Sequence, residues 1–95
     1  PDPTLTPSQR FTTRELARIA AMSPALQCEC PNHIAKILMD IASFEKYSVE
    51  CATADPQARA LHQELGAISA KARVLFEDAL IAVASADGLH LETID

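Results

Sequence analysis

Apolar residues recur at spacings of three and four along two long stretches of the chain, which is the period of an amphipathic α-helix. The first stretch carries its stripe at Ile34, Ile37, Leu38, Ile41, Phe44, Ser48 and Cys51. The second carries its stripe at Leu61, Leu65, Ile68, Ala72, Leu75, Phe76, Ala79, Leu80 and Val83. The pattern predicts helices over residues 31–54 and 56–87.

A shorter helix is predicted over residues 12–23. Thr12 and Glu15 have the spacing of a capping box, in which each side chain bonds the backbone amide of the other residue. Ser23 precedes Pro24. Because the residue before a proline disfavours helical geometry, the helix is expected to end there.

Asp55 and Pro56 mark the junction between the two long helices. Asp is a favourable N-cap and Pro a favourable first helical residue, so the third helix is expected to begin at this dipeptide. Gly88 is expected to cap its other end. So tight a junction makes the two long helices an antiparallel hairpin, in which position 33 lies opposite about position 77.

The sequence therefore predicts an all-α fold, with a short N-terminal helix plus a long antiparallel helical hairpin. One short helix cannot cover two apolar stripes of this length. We expect two hairpins to pair as a homodimer and to form a four-helix bundle. The expected dimer interface consists of Ile37, Ile41, Phe44, Leu65, Ile68 and Leu75.

The predicted domain organisation has three parts. Residues 1–10, which include three prolines, are expected to be an interdomain linker. Residues 11–88 are the helical regulatory and dimerisation domain, and residues 89–95 are a C-terminal tail. The chain begins with Pro rather than Met, which is typical of a processed product or a fragment of a longer protein.

Composition and charge narrow the function classes. Apolar residues make up 48% of the 95 residues but aromatic residues only 4%, and the net charge is −5. A domain with this charge lacks the basic face that phosphate contacts need, so direct nucleic-acid binding is not expected. Arg10, Arg14 and Arg18 recur every four residues and are interpreted as a solvated helical stripe.

The sequence also bears on the cellular location of the protein and on whether it is an enzyme. No stretch has the roughly 20 apolar residues that a membrane span needs. The odd count of three cysteines argues against a secreted disulfide framework, so a cytoplasmic protein is expected. Few polar groups converge and there is no glycine-rich phosphate loop, so an enzyme is not expected.

Cys28, Cys30 and His33 form the one cluster with evident chemistry, at the predicted start of the second helix. Thiolates and imidazole are ligands for zinc or another thiolate-preferring metal ion. The fourth ligand of a tetrahedral site is expected to be Glu77, or Cys51 of the partner subunit. The alternatives are two small buried cysteines beside a polar histidine, or a redox-sensing thiol pair.

Cys51 and His62 flank the Asp–Pro junction at the other end of the hairpin. A Cys–His pair can act as nucleophile and base, but the sequence offers no third member and no oxyanion loop. We therefore interpret these two residues as a core cysteine beside a surface histidine.

A family resemblance rests on four segments, namely Phe11–Leu16, Cys28–His33, Phe44–Cys51 and Ala60–His62. Over roughly residues 10–87, the chain resembles the helical domain that follows the helix-turn-helix segment in MerR-like bacterial transcription regulators. The resemblance implies a role in dimerising or regulating a DNA-binding protein whose DNA-reading element lies upstream. This sequence contains no readable recognition helix, so no DNA-contacting residues are assigned.

The leading hypothesis is a dimerisation and regulatory domain of a bacterial transcription regulator, which contacts DNA only through an upstream domain. One alternative is a metal- or redox-sensing module built on Cys28, Cys30 and His33. The other is an adaptor that binds a partner's helix, which an exposed apolar patch on the assembled dimer would favour.

Overall fold

The computed structural model describes residues 8–22, 29–86 and 88. Within these ranges it contains three α-helices and no strands, namely α1 (Thr13–Ala21), α2 (Cys30–Ala54) and α3 (Arg59–Ala86). α2 and α3 pack along each other as a hairpin, and α1 packs on α2. The all-helical fold is therefore confirmed for this part of the chain, and none of its helices is long and apolar enough to cross a membrane.

Three predictions fall on residues outside the described ranges. They are the end of the first helix at Ser23–Pro24, the metal ligand Cys28 and the tail of residues 89–95. Of the predicted linker, residues 8–10 are described. Ser8 and Arg10 are hydrogen bonded to α3, so these described residues pack on the helical domain.

α1 begins with the predicted capping box. The amide of Glu15 donates to Oγ1 of Thr12 at 3.0 Å, and the amide of Thr12 donates to Oε1 of Glu15 at 2.8 Å. These bonds satisfy amides that the first helical turn leaves without a partner in the helix. They orient α1 so that Leu16 and Ile19 are buried against the hairpin.

The third helix begins at Arg59 instead of Pro56. The carboxylate of Asp55 accepts from the amide of Gln57 at 3.1 Å, and its carbonyl accepts from the amide of Ala58 at 3.2 Å. These bonds stabilise a turn, so Asp55 shapes the connection and does not cap α3. The prediction that α3 starts at the Asp–Pro dipeptide is therefore wrong.

The longer connection changes the register of the hairpin. Glu45 of α2 accepts from Arg73 of α3 at 2.7 Å, and a Cβ placed on Gly66 would lie 3.8 Å from the Cβ of Ser48. Because 45 faces 73 and 48 faces 66, position 33 lies opposite roughly residues 81–85. The predicted opposition of positions 33 and 77 is therefore wrong by at least one helical turn.

The C-terminal ends of the two long helices agree with the predictions. α2 ends at Ala54, and the guanidinium of Arg59 donates to the carbonyl of Ala52 at 3.1 Å, near that end. Gly88 follows α3 with φ 71° and donates its amide to the carbonyl of Ser85. This left-handed backbone is the conformation in which glycine ends helices, so the predicted cap is confirmed.

The apolar core lies at the open end of the hairpin, where α1 covers it. All three helices contribute to it, through Leu16, Ile19, Ala35, Leu38 and Leu80. Nearer the connection, the buried residues of the hairpin are small, namely Ser48, Ala52, Gly66, Ser69 and Ala70. Small residues let two helices approach closely but bury little apolar area. The long apolar stripes are therefore only partly used within one chain.

Candidate functional site

Each long apolar stripe divides into residues that face the core and residues that face outward. Leu38 on α2 and Leu80 on α3 are buried. The outward residues are large and exposed, with exposed fractions of 40% for Ile37, 45% for Phe44, 55% for Ile68 and 68% for Leu75. Ile41 and Leu65 are half-buried at their edge. All six predicted interface residues thus keep surface that one chain does not cover.

The outward residues repeat every seven positions on both helices. On α2 they are Ile37, Phe44 and Cys51, and on α3 they are Leu61, Ile68 and Leu75. A seven-residue repeat keeps apolar side chains on one side of a helix and is typical of helices that pack against other helices. We call the exposed set the apolar face; it consists of Ile37, Ile41, Phe44, Leu61, Leu65, Ile68 and Leu75.

The two rows of the apolar face adjoin on one side of the hairpin. In the observed register, Phe44 lies opposite roughly residues 70–74, between Ile68 and Leu75. The side chain of Arg73 points away from that of Leu75, because side chains two residues apart leave a helix in directions about 160° apart. The apolar face and the charged side of α3 therefore point in opposite directions.

An aromatic pair extends the face toward the connection. The rings of Phe44 and Tyr47 stack with their centroids 6.2 Å apart. The hydroxyl of Tyr47 is neutral at physiological pH because a tyrosine titrates only near pH ~10, and a hydrogen bond with the thiol of Cys51 raises its pKa further. This end of the face can therefore bury aromatic surface without burying a charge.

Of the predicted metal cluster only Cys30 and His33 lie in the described part of the chain, so the cluster itself stays a prediction. Cys30 and His33 are exposed, and no group of three His, Cys, Asp or Glu residues that could hold a metal ion occurs there. Glu77 is 1% exposed, and its carboxylate accepts from Arg10 and Arg73. Glu77 therefore stands away from His33 and is occupied by two arginines, which argues against it as the fourth ligand.

Asn32, within the same motif, has a structural role that the sequence did not indicate. Its Nδ2 donates to the carbonyls of Met22 at 2.6 Å and Ile19 at 3.0 Å, at the end of α1. The last carbonyls of a helix have no partner within it, so this buried amide satisfies them. The start of α2 is thereby fastened to the end of α1.

We expect Asn32→Ala to lower the free energy of unfolding by about 1–3 kcal/mol, because the carbonyl of Met22 loses the amide of Asn32 and the carbonyl of Ile19 keeps only the amide of Met22. Urea denaturation followed by circular dichroism measures the change. Lys36→Ala, one turn further on the exposed side of α2, is the matched control. An equal loss in both variants would contradict the capping role.

A charge cluster with two buried members, Arg73 and Glu77, joins the N-terminal segment to both long helices. It consists of Arg10, Glu45, Arg73, Glu77 and Asp78. Nε of Arg73 donates to Glu45 at 2.7 Å, and its Nη1 donates to Glu77 at 3.2 Å. Hydrogen bonds to Glu45 raise the pKa of Arg73, which holds its charge despite 2% exposure. The cluster thus ties α2 to α3 and to the segment before α1.

Two sequence interpretations change because of this cluster. Arg10 was placed with Arg14 and Arg18 on a solvated stripe, but it precedes α1 and bonds to α3. Glu45, which the charged residues Glu45, Lys46 and Glu50 of the sequence would place on a solvated helix face, is half-buried against Arg73. Arg14 and Arg18 are exposed, as predicted.

Cys51 and His62, which we interpreted as a core cysteine beside a surface histidine, share no hydrogen bond among the described residues, and both are half-buried. Cys51 interacts with Tyr47, one turn earlier on α2. Nδ1 of His62 and Oγ of Ser48 are buried without a partner in that part of the chain. The site does not show the nucleophile–base geometry that catalysis would require.

Comparison with known proteins adds no relative. No protein-family model, no curated protein and no solved structure matches the chain. Among the described residues, the apolar face is therefore the feature that bears most directly on function.

Proposed function

We propose that this chain is the dimerisation and regulatory domain of a bacterial transcription regulator. In this proposal two copies pair through the apolar face and form a four-helix bundle in the cytoplasm. DNA is read by an upstream domain. The observation that carries the proposal is the row of exposed large apolar residues, which reaches 68% exposure at Leu75.

Single exposed apolar residues are ordinary on a soluble protein, but a contiguous row of them marks an interaction surface. A second copy is the occupant that fits this surface. Two-fold symmetry brings the same seven-residue repeat onto itself, and stacking two antiparallel hairpins gives four helices with a shared core. Ala72, between Ile68 and Leu75 on α3, leaves room for side chains of the partner.

The regulatory part of the proposal rests on charge and on the resemblance. The net charge is −5 and no Lys or Arg follows Arg73, so this domain is unsuited to phosphate contacts of its own. A dimerising domain instead sets the spacing of two DNA-reading elements, which bind half-sites one turn apart. The resemblance to MerR-like regulators supports this arrangement.

A fusion assay tests the proposal in cells. The chain is placed after a repressor DNA-binding domain that occupies its operator only as a dimer, and repression of a reporter is measured. We expect strong repression by the fusion and its loss with Leu75→Glu, because the charge would be buried in the interface.

Ile81→Glu is the matched control for this assay. Ile81 is also exposed, at 41%, but it leaves α3 on another side than the apolar face. Its fusion should repress as the unsubstituted one does. Repression by the unsubstituted fusion no stronger than that of the DNA-binding domain alone would overturn the proposal.

A further inference from the structure

Cysteine occupies both ends of the outward row on α2. The row of Ile37, Phe44 and Cys51 continues by one more seven-residue repeat toward the start of the helix, and the residue there is Cys30. Cys30 is exposed and Cys51 is half-buried, so both residues keep surface that the described part of the chain does not cover. Side chains seven residues apart lie on one side of a helix, so Cys30 extends the row along the apolar face.

One chain cannot bring these two cysteines together. They are three seven-residue repeats apart on one continuous helix, which is a distance of about 32 Å along its axis. A disulfide requires Cα atoms within about 7 Å of each other. Any bond between Cys30 and Cys51 therefore has to join two copies of the chain.

An antiparallel second copy brings the two cysteines into opposition. Reversing a row of four equally spaced residues exchanges its two ends and also its two middle members. Cys30 then lies opposite Cys51 of the partner subunit. Ile37 lies opposite the partner's Phe44, so the apolar residues between the cysteines cover each other.

The position of Leu75 on α3 supports this register of the two copies. The midpoint of the row lies beside Ile41, and the observed register of the hairpin places residues 73–77 of α3 opposite that point. Leu75 is the most exposed large apolar residue that the structure describes, at 68%. On the two-fold axis it packs against Leu75 of the partner subunit, so the axis that pairs the cysteines also covers this side chain.

We propose that Cys30 and Cys51 of the partner subunit form a disulfide when the protein meets a hydroperoxide, so that oxidation locks the dimer covalently. Symmetry gives two such bridges per dimer, one at each end of the paired α2 helices. The inference rests on the proposed dimer and adds its regulation. Association that depends on protein concentration becomes permanent until a thiol reduces the bridges.

The thiolate of Cys30 is the nucleophile in the first step. Cys30 is exposed in the first turn of α2, where the unpaired amides of a helix favour a thiolate. Its sulfur attacks one oxygen of the hydroperoxide, the oxygen–oxygen bond breaks, and a sulfenic acid forms on Cys30. The other oxygen leaves as an alcohol, or as water when the oxidant is hydrogen peroxide.

The partner's Cys51 completes the reaction. Its thiolate attacks the sulfenic sulfur of Cys30, the sulfur–sulfur bond forms, and hydroxide leaves and becomes water. Two thiols are thereby oxidised to one disulfide and the hydroperoxide is reduced. The two thiol protons end on the two oxygen products.

The test uses the full chain with Cys28→Ser, which leaves Cys30 and Cys51 as its two thiols. A chelator removes any metal from the thiolates, hydrogen peroxide is added, and an alkylating agent stops the reaction. Non-reducing electrophoresis measures the covalent dimer, and mass spectrometry of peptides identifies the cysteines that are joined. We expect a covalent dimer whose linked peptides contain Cys30 and Cys51, and its loss on adding dithiothreitol.

Two further substitutions in this background provide matched variants. Chains with Cys30→Ser or with Cys51→Ser should each give at least tenfold less covalent dimer by themselves. A mixture of the two variants pairs one Cys30 with one Cys51, so it should restore the cross-link. Adding Ile68→Glu with Leu75→Glu should lower cross-linking at least tenfold, because the dimer no longer forms.

The outcomes separate this inference from the proposed function. A two-chain mass in reducing buffer without a bridge between Cys30 and Cys51 on oxidation overturns the inference and leaves the dimer. Bridges that join Cys51 to Cys51, or a mixture that fails to restore the cross-link, overturn it as well. A single-chain mass in reducing buffer overturns both the inference and the proposed function.

Discussion

Arg73→Met is expected to lower the free energy of unfolding by about 3–5 kcal/mol, because the buried carboxylate of Glu77 and the half-buried carboxylate of Glu45 lose the cation that they share. Arg73 is 2% exposed and bonds Glu45, Glu77 and the carbonyl of Ser8. Methionine keeps much of the side-chain volume, so the loss reports the charge rather than a cavity. A loss of this size is a large part of the about 5–15 kcal/mol that stabilises a domain of ordinary size.

Urea denaturation followed by circular dichroism measures this effect, and Lys71→Met provides its control. Lys71 is exposed on the same helix, so its substitution should change the free energy of unfolding by less than about 0.5 kcal/mol. The buried cluster would lose its assigned role if both variants unfolded at the same urea concentration.

The double substitution Ile68→Glu with Leu75→Glu is expected to abolish dimerisation and leave the helices intact. Both residues are more than half exposed within one chain, so two glutamates cost the monomer little. In the dimer each glutamate would be buried without a partner, and the dissociation constant should rise about 100-fold or more.

Thermal melts at several protein concentrations show this difference. A folded dimer gains stability from association, so the Tm of the unsubstituted chain should rise with protein concentration. The Tm of the double variant should not depend on concentration, and its helicity at low temperature should match that of the parent. Ile81→Glu should behave like the parent. Concentration dependence that survives the double substitution would place the interface elsewhere.

The predictions that depended only on residues close together in the sequence were confirmed. The capping box at Thr12 and Glu15, the end of α2 at Ala54 and the glycine cap at Gly88 each depend on neighbouring residues. Helix periodicity also identified two apolar stripes too long for one short helix to cover. This excess is visible in the structure as the exposed rows on α2 and α3.

The start of α3 and the register could not be predicted from the same information. Asp55 is equally suited to cap a helix and to stabilise a turn, and the turn prevailed here. That choice moved α3 along α2 and separated Glu77 from His33. The proposed fourth ligand depended on this register, so one local ambiguity altered a prediction about a distant site.

The charge cluster was missed because it depends on three separate segments. Arg73 and Glu77 are one helical turn apart, a spacing that usually marks a solvated pair. Their burial follows from Glu45 on α2 and from Arg10 before α1, neither of which is near them in sequence. Asn32 was missed for the same reason, since its partners are the last carbonyls of α1.

The most direct test of the central claim is sedimentation equilibrium of the unsubstituted chain in reducing buffer. We expect a molar mass of twice 10.2 kDa in the micromolar range. For the variant with Ile68→Glu and Leu75→Glu we expect a mass near 10.2 kDa. A single-chain mass for the unsubstituted protein throughout the micromolar range would contradict pairing through the apolar face.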